Sequence, residues 1–227
     1  MEVLKTFRHE YKYIIPYEEM LNLRKELEGV ATLDRGDSYI VRSLYFDTPD
    51  DKDYYDKQGG EMIRKKIRLR IYDVNDNKAK LEIKGKYDYH QLKESLVISK
   101  SDAINIINGN YDSLLMMDND LAKRLYVFFM TGYRPKVIIE YDRMAFITTT
   151  TTRITFDYNI KKSNDFDDFY SDKINYFELT DPKDVILEVK FDRFLEPYLS
   201  KILMRHVSRY QSVSKYVMGR NVEWKKY

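Results

Sequence analysis

The sequence predicts an α+β fold in which about eight antiparallel strands form a closed barrel or a strongly curved sheet, with helices packed outside. Short runs rich in β-branched and aromatic residues recur along the chain, and most of them alternate charged with apolar side chains. Only a few segments show helical periodicity. The 227 residues suffice for one domain with a sizeable core, predicted over residues 1–220, followed by a tail over 221–227.

The strands and helices follow from these patterns in chain order. Strands are predicted over residues 7–15, 38–47, 62–72, 79–87, 92–99, 137–147, 153–158 and 185–191. Helices are predicted after Pro16 as far as Gly29, in two segments between Ser101 and Phe128, and from about Leu195 to Gly219. Residues 161–173 are strongly polar and indicate a surface excursion.

Composition excludes several classes of function. The chain has 39 Lys and Arg against 37 Asp and Glu, which argues against a protein that coats nucleic acid by bulk charge. Cysteine is absent, so disulfides and thiolate metal sites are impossible. No apolar run approaches the roughly 18 residues that span a bilayer, and no signal peptide is recognisable. We therefore expect a soluble, cytoplasmic protein with no direct membrane insertion.

Basic side chains recur at alternate positions of several predicted strands, and alternation along a strand assigns them to one face. Arg64, Lys66, Arg68 and Arg70 share a face, as do Lys80, Glu82, Lys84 and Lys86 in the next strand, Glu188 and Lys190 near the C-terminus, and Arg8, Glu10 and Lys12 near the N-terminus. An ordinary wet face of an antiparallel sheet is one explanation. The density of cations favours another, a charged lumen that binds a phosphate-rich polyanion.

Three glutamates are interleaved with these cations. Glu10, Glu82 and Glu188 offer hard oxygen ligands for Mg²⁺ or Mn²⁺. The alternative is that each forms salt bridges with the neighbouring Lys and Arg. Lys66 and Lys190, which lie on the charged faces of their strands, are candidates for substrate binding.

Nine short stretches, taken together and in order, resemble the VTC domain, the catalytic domain of the vacuolar transporter chaperone polyphosphate polymerase, in the superfamily of triphosphate tunnel metalloenzymes. The stretches are RHEYKY at 8–13, SLYFD at 43–47, IRLRIY at 67–72, LEIK at 81–84, LKE at 92–94, YDRMAF at 141–146, RITFD at 153–157, LEVK at 187–190 and SKY at 214–216. They cover nearly the whole chain.

The resemblance implies a tunnel of eight antiparallel strands that binds a nucleoside triphosphate, with a C-terminal helix at the tunnel. By position it implies phosphate contacts at Lys12, Arg68, Arg70, Lys84, Lys93, Tyr141 and Arg143, further contacts at Ser214 and Lys215, and a metal ligand at Glu188. Of these we expect Arg68, Arg70, Lys84, Arg143 and Lys215 to be catalytic. The wider superfamily often has a glutamate where Arg8 stands, and this departure favours the polymerase branch.

The implied reaction is transfer of the ATP γ-phosphoryl group to a growing polyphosphate chain, with release of ADP and with Mn²⁺ or Mg²⁺ as cofactor. A triphosphatase on the same tunnel and a non-catalytic module that binds polyphosphate or inositol phosphates remain open. A single-strand nucleic-acid binder is disfavoured by the near-zero net charge. A membrane protein that exports the product is a possible partner. No Gly-x-x-x-x-Gly-Lys-Ser/Thr loop occurs, so the chain is not a P-loop kinase.

Overall fold

A computed structural model describes residues 8–87, 90–148, 152–207 and 209–221, without the side chains of Arg8, His90 and Gln91. The predicted tail thus lies outside the described residues from position 222 onward. The chain divides into two compact units. Unit 1 comprises Met1–Ile40, Tyr141–Ile160 and Thr180–Ser214, and unit 2 comprises Val41–Glu140, Lys161–Leu179 and Lys215–Tyr227.

The described residues contain eight strands of nine or more residues, which confirms the predicted number. They are β1 Arg8–Pro16, β3 Tyr39–Asp47, β4 Ile63–Ile71, β5 Lys78–Tyr87, β6 His90–Ser99, β7 Arg134–Ile147, β8 Arg153–Ser163 and β10 Asp184–Asp192, with two-residue strands at β2 Thr32–Leu33 and β9 Phe177–Glu178. β8 continues into the stretch predicted as a surface excursion.

Helices connect and cover these strands. They are α1 Tyr17–Leu27, α2 Lys52–Gln58, α3 Lys100–Ile107, α4 Asp112–Met116, α5 Asp120–Met130, α6 Pro197–Met204 and α7 Lys215–Arg220, with a 3₁₀ turn over Phe166–Asp168. The N-cap of α3 is Ser99, whose hydroxyl accepts from the backbone N–H of Asp102. No described helix is long and apolar enough to cross a membrane.

The pairing order of the strands is β1-β10-β8-β7-β3-β4-β5-β6, and β1–β10, β10–β8, β3–β4, β4–β5 and β5–β6 pair antiparallel. The antiparallel α+β prediction is confirmed, but the predicted closed barrel is wrong, because the described residues of β1 and β6 do not pair and the order has two ends. At β1 the physical reason is visible. The carbonyl oxygen of Lys12 accepts from the backbone N–H of Gln211 at 2.7 Å, so a returning segment already uses that edge.

The core of unit 1 lies beneath β1, β10 and β8. Met20, Leu23 and Leu27 of α1 are buried at the helical spacing read from the sequence. They join the inward residues of the strands, such as Leu187 and Phe156, in one apolar cluster. The opposite face of these strands therefore carries the polar side chains.

Unit 2 has its own core under β3–β6, where Leu69, Leu81 and Phe46 meet the apolar side of α5. Within α5, Leu121, Leu125 and Phe129 are buried, and Leu114 is buried in the separate helix α4. Burial of these odd-numbered strand residues in β4 and β5 assigns the even-numbered cations to the other face.

The C-terminal prediction was wrong in part. Helices were predicted from about Leu195 to Gly219, and the chain forms α6 and α7 there, but the described stretch between them, predicted to be helical, is not. The physical reason is that this stretch bonds to a strand instead of to itself: besides the Gln211 bond, Lys12 Nζ donates to the Val213 carbonyl oxygen at 3.2 Å. Both contacts lie within unit 1.

Candidate functional site

Antiparallel register aligns the cations of unit 2 in rows across β4, β5 and β6. Lys66 is opposite Lys84, which is opposite Lys93, so three predicted site residues form one row. Side chains directly opposite one another are about 5 Å apart at Cβ, and like charges in such positions are destabilising. An anion bound over this row would remove the repulsion.

The next row places Arg68 opposite Glu82, and Arg70 lies two residues along β4 on the same face. Arg68 Nε donates to Glu82 Oε2 at 2.6 Å, Lys93 Nζ lies 2.6 Å from Oε1, and Arg70 Nη1 lies 3.9 Å from Oε2. Burial raises the pKa of Glu82, but Arg68, Arg70 and Lys93 outweigh burial and lower it to about 2. Glu82 is 1% exposed, and these contacts fit the salt-bridge alternative for this residue.

Two β3 residues on this face support the arginines. Ser43 Oγ accepts from Arg70 Nε at 3.1 Å, and the Tyr45 hydroxyl accepts from Arg68 Nη1 at 3.4 Å. Burial opposes ionisation of Tyr45, yet Arg68, Arg70 and Lys215 together lower its pKa. The predicted Lys215 is therefore close enough to Tyr45 to act on it electrostatically.

Tyr216 fixes helix α7 in place within unit 2. The Tyr216 ring stacks on Tyr45 with centroids 5.1 Å apart, and its hydroxyl donates to Asp47 Oδ2. Asp47 also accepts the backbone N–H groups of Asp53 and Tyr54 in the first turn of α2. Gly219 allows the close approach, since a Cβ there would lie 2.3 Å from Ile139 Cδ1. These contacts set the position of Lys215, the first residue of α7.

Unit 1 has a second charged face on β1, β10 and β8. The registers form two rows, one with Lys12 opposite Glu188 and Glu188 opposite Thr155, and one with Glu10, Lys190 and Arg153. Lys12 Nζ lies 2.9 Å from Glu10 and 3.8 Å from Glu188. Burial disfavours the charged form of Lys12, but these two glutamates outweigh it and raise the pKa of Lys12.

Glu188 is the centre of this second face. Lys190 Nζ lies 2.9 Å from its Oε1, and Arg143 Nη2 lies 3.9 Å from its Oε2. Arg143 forms a bidentate pair with Asp157 at 2.6 and 2.7 Å, and its guanidinium lies over the Tyr141 ring at 5.3 Å. Unlike the face of unit 2, this face has nearly as many carboxylates as cations.

The donor chemistry of unit 1 fits a hard divalent cation bound together with phosphate. Glu10 and Glu188 converge on one ammonium group, that of Lys12. No group of three or more Asp, Glu, His or Cys suited to a metal is found in the described part of the chain. Mg²⁺ commonly takes one or two carboxylates and completes its octahedron with water and substrate phosphates. Two converging carboxylates meet that requirement.

The predicted site residues thus fall into two groups. Unit 2 holds Lys66, Arg68, Arg70, Glu82, Lys84, Lys93 and Lys215, and unit 1 holds Glu10, Lys12, Tyr141, Arg143, Glu188, Lys190 and Ser214. The sequence reasoning gave no role to Asp157, Thr155 or Tyr45. The sequence pattern could have revealed Asp157 and Thr155, because Arg153, Thr155 and Asp157 alternate with the buried Ile154 and Phe156.

These faces define the class of protein: an antiparallel α+β fold that presents rows of cations, interleaved with glutamates, on one side of its strands. The VTC domain model matches residues 7–223, and the chain belongs to the VTC domain family. This confirms the resemblance recognised in the nine sequence stretches.

Solved structures agree with the fold. A putative adenylyl cyclase from Hippeastrum, reported to have a dominant triphosphatase activity, matches with a TM-score of 0.56 and 13% identity over 96% of this chain and 99% of that one. A putative adenylate cyclase from Bacillus halodurans matches with a TM-score of 0.53 and 14% identity over 91% and 96% of the two chains. A comparison with curated proteins found no match.

Proposed function

We propose that this protein is a metal-dependent polyphosphate polymerase of the triphosphate tunnel type, which transfers the γ-phosphoryl group of ATP to a growing polyphosphate chain and releases ADP. The observation that carries the proposal is the Lys66–Lys84–Lys93 row beside Arg68 and Arg70. Along β4, β5 and β6 this face has one carboxylate, Glu82, among the described side chains, which leaves a large excess of positive charge. Membership of the VTC family supports the same reading.

The residues of unit 2 would bind and neutralise the phosphate chain. Arg68 and Arg70 suit bidentate binding of phosphate oxygens, while lysines add point charge. Because Ser43, Tyr45 and Glu82 hold both guanidinium groups, little reorganisation would be needed when substrate binds. Phosphoryl transfer depends mainly on such positioning and on electrostatic stabilisation.

In unit 1, Glu188 and Glu10 would hold Mg²⁺ or Mn²⁺, which supplies charge neutralisation on the phosphate oxygens. Arg143 would bind a phosphate group, since its pairing with Asp157 fixes its orientation. The acceptor is a terminal phosphate that is already ionised near neutral pH. A dedicated general base is therefore not required, and the proposed roles include none.

A triphosphatase is the second candidate, because it needs the same cations with water as the acceptor. The Hippeastrum neighbour, with its reported triphosphatase activity, is the observation in its favour. A binding module without turnover is the third. As part of the polymerase proposal, the protein acts in the cytoplasm, and a membrane protein is the partner that removes the product.

The test is incubation of the purified protein with ATP, a short polyphosphate primer and Mn²⁺ or Mg²⁺, followed by ³¹P NMR. We expect signals from internal phosphoanhydride units together with ADP. The Arg68→Ala, Arg70→Ala double variant should lose at least about a hundredfold in turnover. Arg124→Ala is the matched control, because Arg124 is an exposed cation paired with Glu94 on the other side of β6. Orthophosphate as the sole product would establish the triphosphatase instead, and turnover unchanged in the double variant would refute both.

A further inference from the structure

Thr155 lies in the middle of the charged face of unit 1 and has no role in the function proposed above. It occupies β8 opposite Glu188, which is itself opposite Lys12 on β1. Its neighbours Ile154 and Phe156 are buried in the apolar core on the other side of the sheet. The Thr155 side chain therefore belongs to the same face as Lys12, Glu188 and Asp157.

The hydroxyl of Thr155 is buried, with the residue 2% exposed, and its Oγ1 has no hydrogen-bond partner among the described protein atoms. Buried hydroxyl groups are almost always paired, because an unpaired one lowers stability. Glu188, the carboxylate opposite Thr155, does not accept a hydrogen bond from this hydroxyl, because it pairs with Lys190, Lys12 and Arg143. A bound ligand can supply the partner that the described residues do not.

The surroundings select an anionic oxygen as that partner. A hydroxyl can donate one hydrogen bond. The residue opposite Thr155 is Glu188, and the cations paired with Glu188, which are Lys12, Lys190 and Arg143, attract phosphate. A bound phosphate oxygen accepts from a hydroxyl and from cations simultaneously. Thr152, the residue just before β8, offers a contrast, because it is also 2% exposed but donates to Glu196 at 3.0 Å.

We propose that Thr155 is a further substrate-binding residue, whose hydroxyl donates to a phosphate oxygen of the triphosphate or polyphosphate held on the charged face of unit 1. This inference rests on the proposed function, because it requires that unit 1 binds phosphate. It assigns to Thr155 a direct contact in addition to the cations and the metal-binding glutamates.

The experiment measures binding of inorganic tripolyphosphate by calorimetry in the presence of Mn²⁺, so that turnover is not the readout. Thr155→Val keeps the shape and removes the hydroxyl, and it should raise Kd about tenfold, which corresponds to about 1.4 kcal/mol. Thr155→Ser keeps the hydroxyl and should stay within about twofold of the unchanged protein. Thr152→Val is the matched control, since it removes a buried hydroxyl that already has a partner, and its Kd should not change.

A Kd of the Thr155→Val protein within twofold of the original would overturn the inference. If that variant fails to fold, Thr155→Ala against Thr155→Ser makes the same comparison, and equal affinities of these two proteins would overturn it as well. Failure of the proposed function gives a different pattern. In that case the Arg68→Ala, Arg70→Ala protein would bind tripolyphosphate as tightly as the original, whatever happens at Thr155.

Discussion

Glu82 is the counter-ion at the centre of the cations of unit 2, and replacing it with glutamine tests how strongly those cations repel one another. The Glu82→Gln change keeps the shape of the side chain and removes its charge. Arg68 and Lys93 would then each lose a charged partner that lies 2.6 Å away. Removing one partner of a buried ion pair is costly because the other charges remain buried and unpaired.

The expected loss of stability follows from the shift in the pKa of the Glu82 carboxylate. The pKa of Glu82 falls from 4.5 to about 2, because the three neighbouring cations outweigh the effect of burial. At about 1.4 kcal/mol for each tenfold change in proton affinity, that corresponds to about 3 kcal/mol of stability at neutral pH. Since this pKa is lowered in the folded state, the stabilisation is present above pH 4.5 and is lost as the pH falls toward 2.

Urea unfolding of the two proteins at several pH values measures this difference. We expect Glu82→Gln to lower the free energy of unfolding by about 3 kcal/mol at pH 7 and by progressively less below pH 4.5. Glu94→Gln is the matched control, because Glu94 lies on the same pair of strands but forms an exposed pair with Arg124, which is worth about 0–1 kcal/mol. Added tripolyphosphate should stabilise the Glu82→Gln protein more than the original. A loss below about 1 kcal/mol, or one that is independent of pH, would refute the reasoning.

Three further predictions concern other charged groups. Glu188→Gln should weaken the dependence of turnover on Mn²⁺ or Mg²⁺, and an unchanged metal titration would remove Glu188 from the metal site. Hydrogen bonds to Glu19 and Glu26 outweigh burial and raise the pKa of His206. The stabilisation from His206 is therefore full below pH 6.5 and is lost as the pH rises. The melting temperature should fall over that pH range in the original protein, and His206→Asn should lack this fall. Burial raises the pKa of Asp53 to about 6, so the ionised carboxylate lowers the stability of the folded protein at pH 7. Asp53→Asn removes that charge and should therefore unfold at a higher urea concentration than the original at pH 7, but not below pH 3.8.

The alternation of charged and apolar residues predicted which side chains share a face, and the structure confirms this for β4 and β5. Odd-numbered Leu69 and Leu81 are fully buried, while Lys66 and Lys84 lie on the opposite face. Alternation fixes only the face, because its period is two in every strand. Register between strands depends on turn geometry, so the sequence alone could not have aligned Lys66, Lys84 and Lys93 in one row.

The C-terminal segment shows why periodicity failed elsewhere. Val207, Tyr210, Val213 and Val217 recur at helical spacing, yet Gln211 bonds to the backbone of Lys12 instead of forming a helical turn. A strand edge supplies hydrogen-bond partners that a local pattern cannot reveal. The same contact explains the wrong prediction of barrel closure, since that edge of β1 is occupied by its own chain. Lys215 was nonetheless correctly placed at a helix, because α7 begins there.

The balance of charge differs between the two faces, and this difference argues for a division of chemistry. In unit 2, Glu82 is outnumbered by Arg68, Arg70 and Lys93, so a bound polyanion gains Coulomb energy without needing a metal. In unit 1, Glu10, Glu188 and Asp157 nearly cancel the neighbouring cations, so a bare phosphate would meet carboxylates. A divalent ion would reverse that local repulsion. Removal of metal should therefore affect phosphate contacts made by unit 1 more than those made by unit 2, and the cations of unit 2 should retain tripolyphosphate in the presence of a chelator.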